Sequence, residues 1–176
     1  EEDSTITSQV TALEQPARDG YSFAGWYDAP SDGNKVEAFL ADGSTYYAYW
    51  YVDTTFVWNY PTAPQNTVVS QFEGTVINLD IPSRNATFAG WYNNSSDGEL
   101  IYGPSDDILA DGETYYAYWT CTTTFNSNMD GISNQEIVEL EGKEIIPAII
   151  YKPGKEFIGW YLDGEGDRQN SFISNG

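Results

Sequence analysis

A pentapeptide that occurs three times constrains this chain more than any other feature. It reads FAGWY at 23–27, FAGWY again at 88–92, and FIGWY at 157–161. A second block, ADGSTYYAYW at 41–50, returns as ADGETYYAYW at 110–119, and TTF occurs at 54–56 and 123–125. Self-similarity at a fixed period marks a row of small supersecondary units in place of one large core. From Trp50 to Trp119, from Phe56 to Phe125 and from Trp91 to Trp160 the step is 69 positions. From Trp26 to Trp91 it is only 65, and the missing four lie between GWY and ADG, 15 positions against 19. A length change confined to one stretch marks a surface connection, because loops absorb insertions and packed strands do not.

The repeated blocks predict a strand, a turn with Pro and a basic residue, the FxGWY strand, a variable loop, an ADG turn and the YYAYW strand. TTF reads as the first strand of the following unit. On that count 52–120 is a complete repeat, 1–51 lacks the first strand and 121–176 lacks the last. Strict alternation places Phe23, Gly25 and Tyr27 on one face of their strand, and Ala24 and Trp26 on the other. The motif recurs at Phe88, Gly90, Trp91 and Tyr92 and at Phe157, Gly159, Trp160 and Tyr161, with each Trp expected on the face opposite its Phe and Gly. Glycine inside a strand suits a position where another group packs on the backbone. The expected partner of Gly25 and Gly90 is an aromatic ring of YYAYW, whose own alternation puts Tyr46, Ala48 and Trp50 together. VINLDI at 76–81 alternates as a strand up to Pro82, which cannot donate to a ladder. VVSQFEG at 68–74 reads as a further strand, and the third copy reads as β-rich over 143–157. KVEAFLADG at 35–43 reads as a turn of helix or a short irregular crossing.

Charge narrows the function classes. There are 27 acidic and 7 basic residues, a net charge of −20. The acids are spread evenly, nine in each of 1–51, 52–120 and 121–176, so they form no acidic tail. Binding nucleic acid or an anionic membrane requires Lys and Arg to neutralise phosphate, so neither partner is expected. No run of about 20 apolar residues exists, so no membrane insertion is expected. The chain opens on Glu1, which predicts a processed product or an excised fragment. There is no histidine, which removes His-based metal sites and Ser-His-Asp triads. The single cysteine, Cys121, stands where the preceding copy has Val52, and reads as a small apolar filler.

PxRxGYxFAGWY…ADGxTYYAYW followed by TTF resembles the Listeria–Bacteroides repeat, the same kind of module as the internalin B repeat. The match runs over Gly20, Tyr21, Phe23, Gly25, Trp26 and Tyr27 with 46–50, and over 87–92 with 115–119. The third copy matches at 157–161 but has IYKPGKE where the others approach through PxR. The resemblance implies a mostly β, small α+β, β-grasp-like fold, with one short helical segment per module, in an elongated tandem array. It also implies an extracellular or cell-surface location, no cofactor and no catalytic residues to carry over. The family's terminal strand usually has a charged or polar residue where Tyr49 and Tyr118 stand, which adds aromatic surface.

Few residues suggest chemistry. Tyr47, Tyr49, Tyr116 and Tyr118 lie opposite Trp50 and Trp119. They could cover the second face of a thin sheet, pack on a neighbouring module of the same or another chain, or stack on a glycan; the first is the plain expectation. Asp163, Glu165 and Asp167, like the loops ending in Asp32-Gly33 and Asp97-Gly98, are oxygen-rich as calcium sites are. Yet none has a full calcium-loop pattern, so ordinary turns are expected. Asn85, Asn93 and Asn94 head N-glycosylation sequons, the latter two in the loop taken to have gained four residues. Asp106 and Asp107 are adjacent and unrepeated, which is unlike an acid–base pair facing a cleft. The sequence therefore predicts no enzyme. It predicts a cell-surface spacer or adhesion stalk, whose partner could be a host or cell-surface protein or glycan. The alternatives are a filament subunit assembled by strand complementation and a carbohydrate-binding module.

Overall fold

The computed structural model describes residues 13–40, 42–162, 166 and 168–175, and among them there are strands and turns but no helix. Along the chain come β1 (Tyr21–Tyr27), β2 (Tyr47–Val57), β3 (Thr67–Phe72), β4 (Val76–Ile77) and β5 (Thr87–Tyr92). There follow β6 (Leu100–Tyr102), β7 (Ile108–Leu109), β8 (Thr114–Phe125), β9 (Gln135–Leu140) and β10 (Glu144–Ile145). The last three are β11 (Trp160–Tyr161), β12 (Arg168–Gln169) and β13 (Phe172–Ile173).

The mostly β class stands, and the helical segment does not. In the first copy Lys35 bridges to Tyr27, and the Val36 N–H donates to the Trp26 carbonyl at 2.8 Å. In the second copy the same stretch becomes β6, paired antiparallel with β5. A single turn of helix has too few hydrogen bonds to offset its nucleation. The FAGWY strand meanwhile offers an open edge whose N–H and C=O groups need partners.

YYAYW and TTF also differ from expectation, since they are not separate strands. β2 and β8 run through both blocks without a break, over 11 and 12 residues. The connecting residues, Tyr51-Val52-Asp53 and Thr120-Cys121-Thr122, contain neither Gly nor Pro, and apart from Asp53 they are mostly good β residues. The alternation read over 76–81 yields only the two residues of β4, and the third copy pairs sparsely, through β10 and β11.

The chain divides into two compact units, each discontinuous in sequence. The first comprises Glu1–Val57, Pro64–Leu79 and Asp107–Tyr115. In it β1 pairs with 47–52 of β2, β3 pairs with 51–56 of β2, and β4 pairs with β7, all antiparallel. Alternation along β2 buries Val52, Thr54 and Phe56 and leaves Tyr51 and Asp53 exposed. Phe56 stacks near Tyr115, ring centroids 6.0 Å apart, and Ile77, Ile108 and Ala110 complete this core. Thr54, fully buried, accepts the N–H groups of Asp111 and Gly112 at its Oγ1, both at 3.1 Å.

The second unit comprises Trp58–Ala63, Asp80–Asp106 and Tyr116–Gly176. Here β8 lies between β5 and β9, and β10 pairs with β13. Its core is aromatic. Trp91 packs against Trp58 at 5.2 Å, and the Trp119 indole N–H donates to the Trp58 carbonyl at 3.0 Å. Phe125, Ile145 and Ser174 are buried together with Cys121.

Candidate functional site

The FxGWY strand is bent by a bulge. Phe23 lies opposite Trp50 and Gly25 opposite Tyr49, so Ala24 is the extra residue. Phe88, Gly90, Trp119 and Tyr118 repeat this register. The three glycines share one backbone state, with φ of 136° at Gly25, 129° at Gly90 and 139° at Gly159. L side chains rarely adopt it. The bulge overturns the simple alternation. Phe23 and Trp26 share a face, edge to face at 5.6 Å, with Trp50 5.5 Å from Phe23. Phe88 sits 5.3 Å from Trp91 and 5.5 Å from Trp119, and Phe157 sits 5.4 Å from Trp160.

What lies on each glycine also differs from the expected aromatic ring. A Cβ at Gly25 would come within 2.6 Å of Lys35 Cε, and one at Gly159 within 2.6 Å of Arg168 Nε. At Gly90 it would meet both Leu100 Cδ1 and the Tyr102 carbonyl at 2.6 Å. In the first two copies the covering group comes from the segment after the Asp-Gly turn, as the side chain of Lys35 at Gly25 and as Leu100 with the Tyr102 carbonyl at Gly90.

The opposite face carries a tyrosine pair in each unit. Tyr27 stacks on Tyr49 at 3.9 Å, and Tyr92 on Tyr118 at 4.0 Å. The Tyr49 hydroxyl accepts the Gly33 N–H and the Tyr118 hydroxyl the Gly98 N–H, each at 3.1 Å. The turns they hold are alike. Asp28 Oδ1 accepts from Asn34 N at 2.7 Å, as Asn93 Oδ1 does from Glu99 N at 2.9 Å. Asp32 and Asp97 sit at φ 52° and 51°. Tyr47 and Tyr116 are half-buried beside these stacks. Because the two Asp-Gly turns match residue for residue, the four extra residues of the second copy lie elsewhere. They fall in the turn between β6 and β7, where Asp106 accepts the Gly103 N–H at 2.6 Å.

An ion pair absent from the sequence expectations recurs in both units. Arg18 reaches Glu73 through two hydrogen bonds of 2.5 and 2.8 Å and lies 3.5 Å over the Tyr21 ring. Arg84 reaches Glu141 through two of 2.8 Å, and its guanidinium lies 4.4 Å from the Tyr60 ring centre and 4.9 Å from that of Trp119. The bidentate fork is the strong form of the pair. Its hydrogen bonds with Arg18 hold the Glu73 carboxyl below its usual range, and those with Glu141 raise the Arg84 guanidinium. The sequence signal was PxR at 16–18 and 82–84 together with Glu-Gly at 73–74 and 141–142.

Each unit also has an open cleft beside its tyrosine pair. In the first it holds about 440 Å³ among Tyr27, Gly33, Tyr49, Phe72 and Gly74. In the second it holds about 240 Å³ among Asn59, Tyr118, Trp119, Glu141 and Lys143, with Lys143 bonded to Asp97 at 2.5 Å. Asp163, Glu165 and Asp167 lie outside the described residues. Among the described residues no three His, Cys, Asp or Glu side chains gather as metal ligands. Asn85, Asn93 and Asn94 are exposed, but the Asn93 side chain is engaged in its turn. Cys121 is buried, and burial raises its thiol pKa.

Comparison with known proteins places this geometry. The profile of the Listeria–Bacteroides repeat domain matches residues 2–48 and 122–175. A protein of Evansella cellulosilytica, named only as a candidate membrane protein, is 28% identical over 93% of this chain and 26% of its own length. Internalin H of Listeria monocytogenes is 30% identical over 68% of this chain and 24% of its own length. The chain thus spans about a quarter of the length of these relatives. No solved structure matches it. With the profile covering more than half of its residues, the chain belongs to the Listeria–Bacteroides repeat family.

Proposed function

We propose that this chain is a non-catalytic, extracellular or cell-surface repeat array that serves as a spacer or adhesion stalk. The observation that carries the reading is that one structural device is built twice. The glycine bulge, the Phe–Trp–Trp cluster, the stacked tyrosines and the Arg–Glu fork recur in both units. Their polar groups are used in holding turns and strands: the Tyr49 and Tyr118 hydroxyls, Asp28 and Asn93 each accept a backbone N–H. Repetition of a packing unit is how an array adds length at constant stability per unit. The names of the two relatives, a membrane protein and an internalin, support a surface location.

The test is to add and remove one copy of the 69-residue repeat and measure each chain by small-angle scattering. The maximum dimension should change by the same step each time, roughly a few tens of ångströms for strands rising about 3.3 Å per residue. A dimension that fails to grow with copy number would overturn the spacer.

A further inference from the structure

β3 and β9 are the same element of two successive repeats, and they differ at their outer edges. Among the described residues, β3 pairs only with β2 and β9 only with β8. β3 lies inside the chain, between the FAGWY copies at 23–27 and 88–92. The Glu73 N–H donates to the Trp50 carbonyl at 3.0 Å, as that of Glu141 does to Trp119 at 2.8 Å. Pairing alternates along an antiparallel ladder, so Thr67, Val69 and Gln71 turn their main-chain groups toward β2. Val68, Ser70 and Phe72 turn theirs to the open edge. The matching residues of β9 are Glu136, Val138 and Leu140.

On β9 the edge is guarded by charge, a common defence of an exposed strand. Glu136 stands where β3 has Val68, and Glu139 where β3 has Gln71. The Glu139 carboxylate also accepts the outward Leu140 N–H at 2.8 Å. β3 has neither guard. It contains no charged residue and no proline, and its pairing with β2 is regular, without a bulge. Val68 is 57% exposed. The Gln71 Oε1 is buried and has no partner among the described residues, so it does not take the Phe72 N–H as Glu139 takes that of Leu140. A flat, uncharged edge of this kind is a template for another strand.

We propose that the open edge of β3 pairs with β3 of a second copy of this chain, antiparallel about a two-fold axis at Ser70. The outward residues fix the register. Ser70 meets Ser70, and Val68 of each copy comes opposite Phe72 of the other. The strand is thus self-complementary, as a two-fold interface requires. An aromatic opposite a β-branched residue is a favourable cross-strand pair, and the main-chain hydrogen bonds supply the rest. Charge favours β3 over β9 as the meeting point. Two copies that each carry −20 repel one another, and an edge without acids lets them approach with the least repulsion. On β9 the same pairing would set Glu136 opposite Leu140 and displace Glu139 from the Leu140 amide. An edge of six residues is a small interface, so the dimer should be weak, with Kd in about the 10 μM to 1 mM range. Salt screens the repulsion, so association should strengthen from about 20 mM to about 500 mM NaCl.

Sedimentation equilibrium of the intact 176-residue chain tests this. The mass should rise with concentration to that of a dimer and stop there, and Kd should fall at least threefold at the higher salt. Ser70→Pro removes the central outward N–H at a place where an edge strand tolerates proline, and Kd should rise at least tenfold. Val68→Glu combined with Gln71→Glu copies the β9 guard and should do the same through side chains alone. The two variants perturb the strand differently, so if one fails to fold the other decides. Val138→Pro, the matching change on β9, should leave Kd unchanged. A chain still monomeric at about 1 mM in about 500 mM NaCl overturns the proposal. So does growth past a dimer, a dimer that survives the β3 variants, or one that Val138→Pro weakens equally. A monomer would leave the spacer reading and its scattering test untouched.

Discussion

Gly90 and Gly25 hold the same place in the motif and differ in what a side chain would strike. Both have φ well into the region that L residues avoid, so alanine at either is strained by about 1–3 kcal/mol. At Gly25 the nearest atom is the Cε of Lys35, whose side chain is exposed and can swing away. At Gly90 the nearest atoms are Leu100 Cδ1 and the Tyr102 carbonyl, the latter fixed in the strand paired with β5. Gly90→Ala should therefore cost about 3 kcal/mol and Gly25→Ala about 1–2 kcal/mol. Urea unfolding of the two variants checks the order. If Gly25→Ala lowers the midpoint as much as Gly90→Ala, the close contact is not what separates the sites.

Among the elements, β2 does two jobs at once. Its first half covers the FAGWY strand, and its second half carries Thr54 and Phe56 into the core. Thr54→Val keeps the shape and removes the hydroxyl that accepts the N–H groups of Asp111 and Gly112. A buried donor left without its partner costs about 1–3 kcal/mol. The pair is partly exposed, so the loss should be about 2 kcal/mol, while Thr54→Ser should lose under about 1. A differential scanning comparison decides it: equal losses for Val and Ser would mean that the methyl contributes as much as the hydroxyl, and a loss for Ser alone would mean that the hydroxyl has no part.

The strand content of this region was legible from YYAYW and TTF, because runs of β-formers declare themselves. The continuity of β2 was not, since a repeat boundary looks like a structural boundary when only the sequence is in view. The bulge was hidden for a related reason. Alternation assumes a regular pleat, and one glycine at positive φ reverses every face after it. The glycine itself was the signal. The Arg–Glu forks join residues 55 and 57 positions apart, beyond the reach of any local pattern. Only the recurrence of PxR and Glu-Gly hinted at them.

For the whole molecule, acid should act in two opposed ways. The chain carries −20 at neutral pH, with an isoelectric point near 4.1. Moving toward pH 4 relieves self-repulsion and favours association. Carboxylates held low by the fold act in the other direction. Glu73, hydrogen-bonded by Arg18, has its folded pKa depressed below the unfolded value of about 4.3. Its contribution is therefore complete above that value and is lost as pH falls through the depressed one. Asp97 beside Lys143, and Asp42 capped by Ser44, are depressed likewise. The fork at Glu73 is about 40% exposed on both sides, so solvent screening limits its share to about 0.5–1 kcal/mol. Stability should then hold or rise slightly from pH 7 to about 4.5 and fall below it. Glu73→Gln should start lower at neutral pH and show a shallower acid limb. Melting temperatures from pH 7 to 2.5, with light scattering to separate association, test this. An acid limb equally steep in Glu73→Gln would place the loss on other carboxylates and leave the Arg18 fork without a part in it.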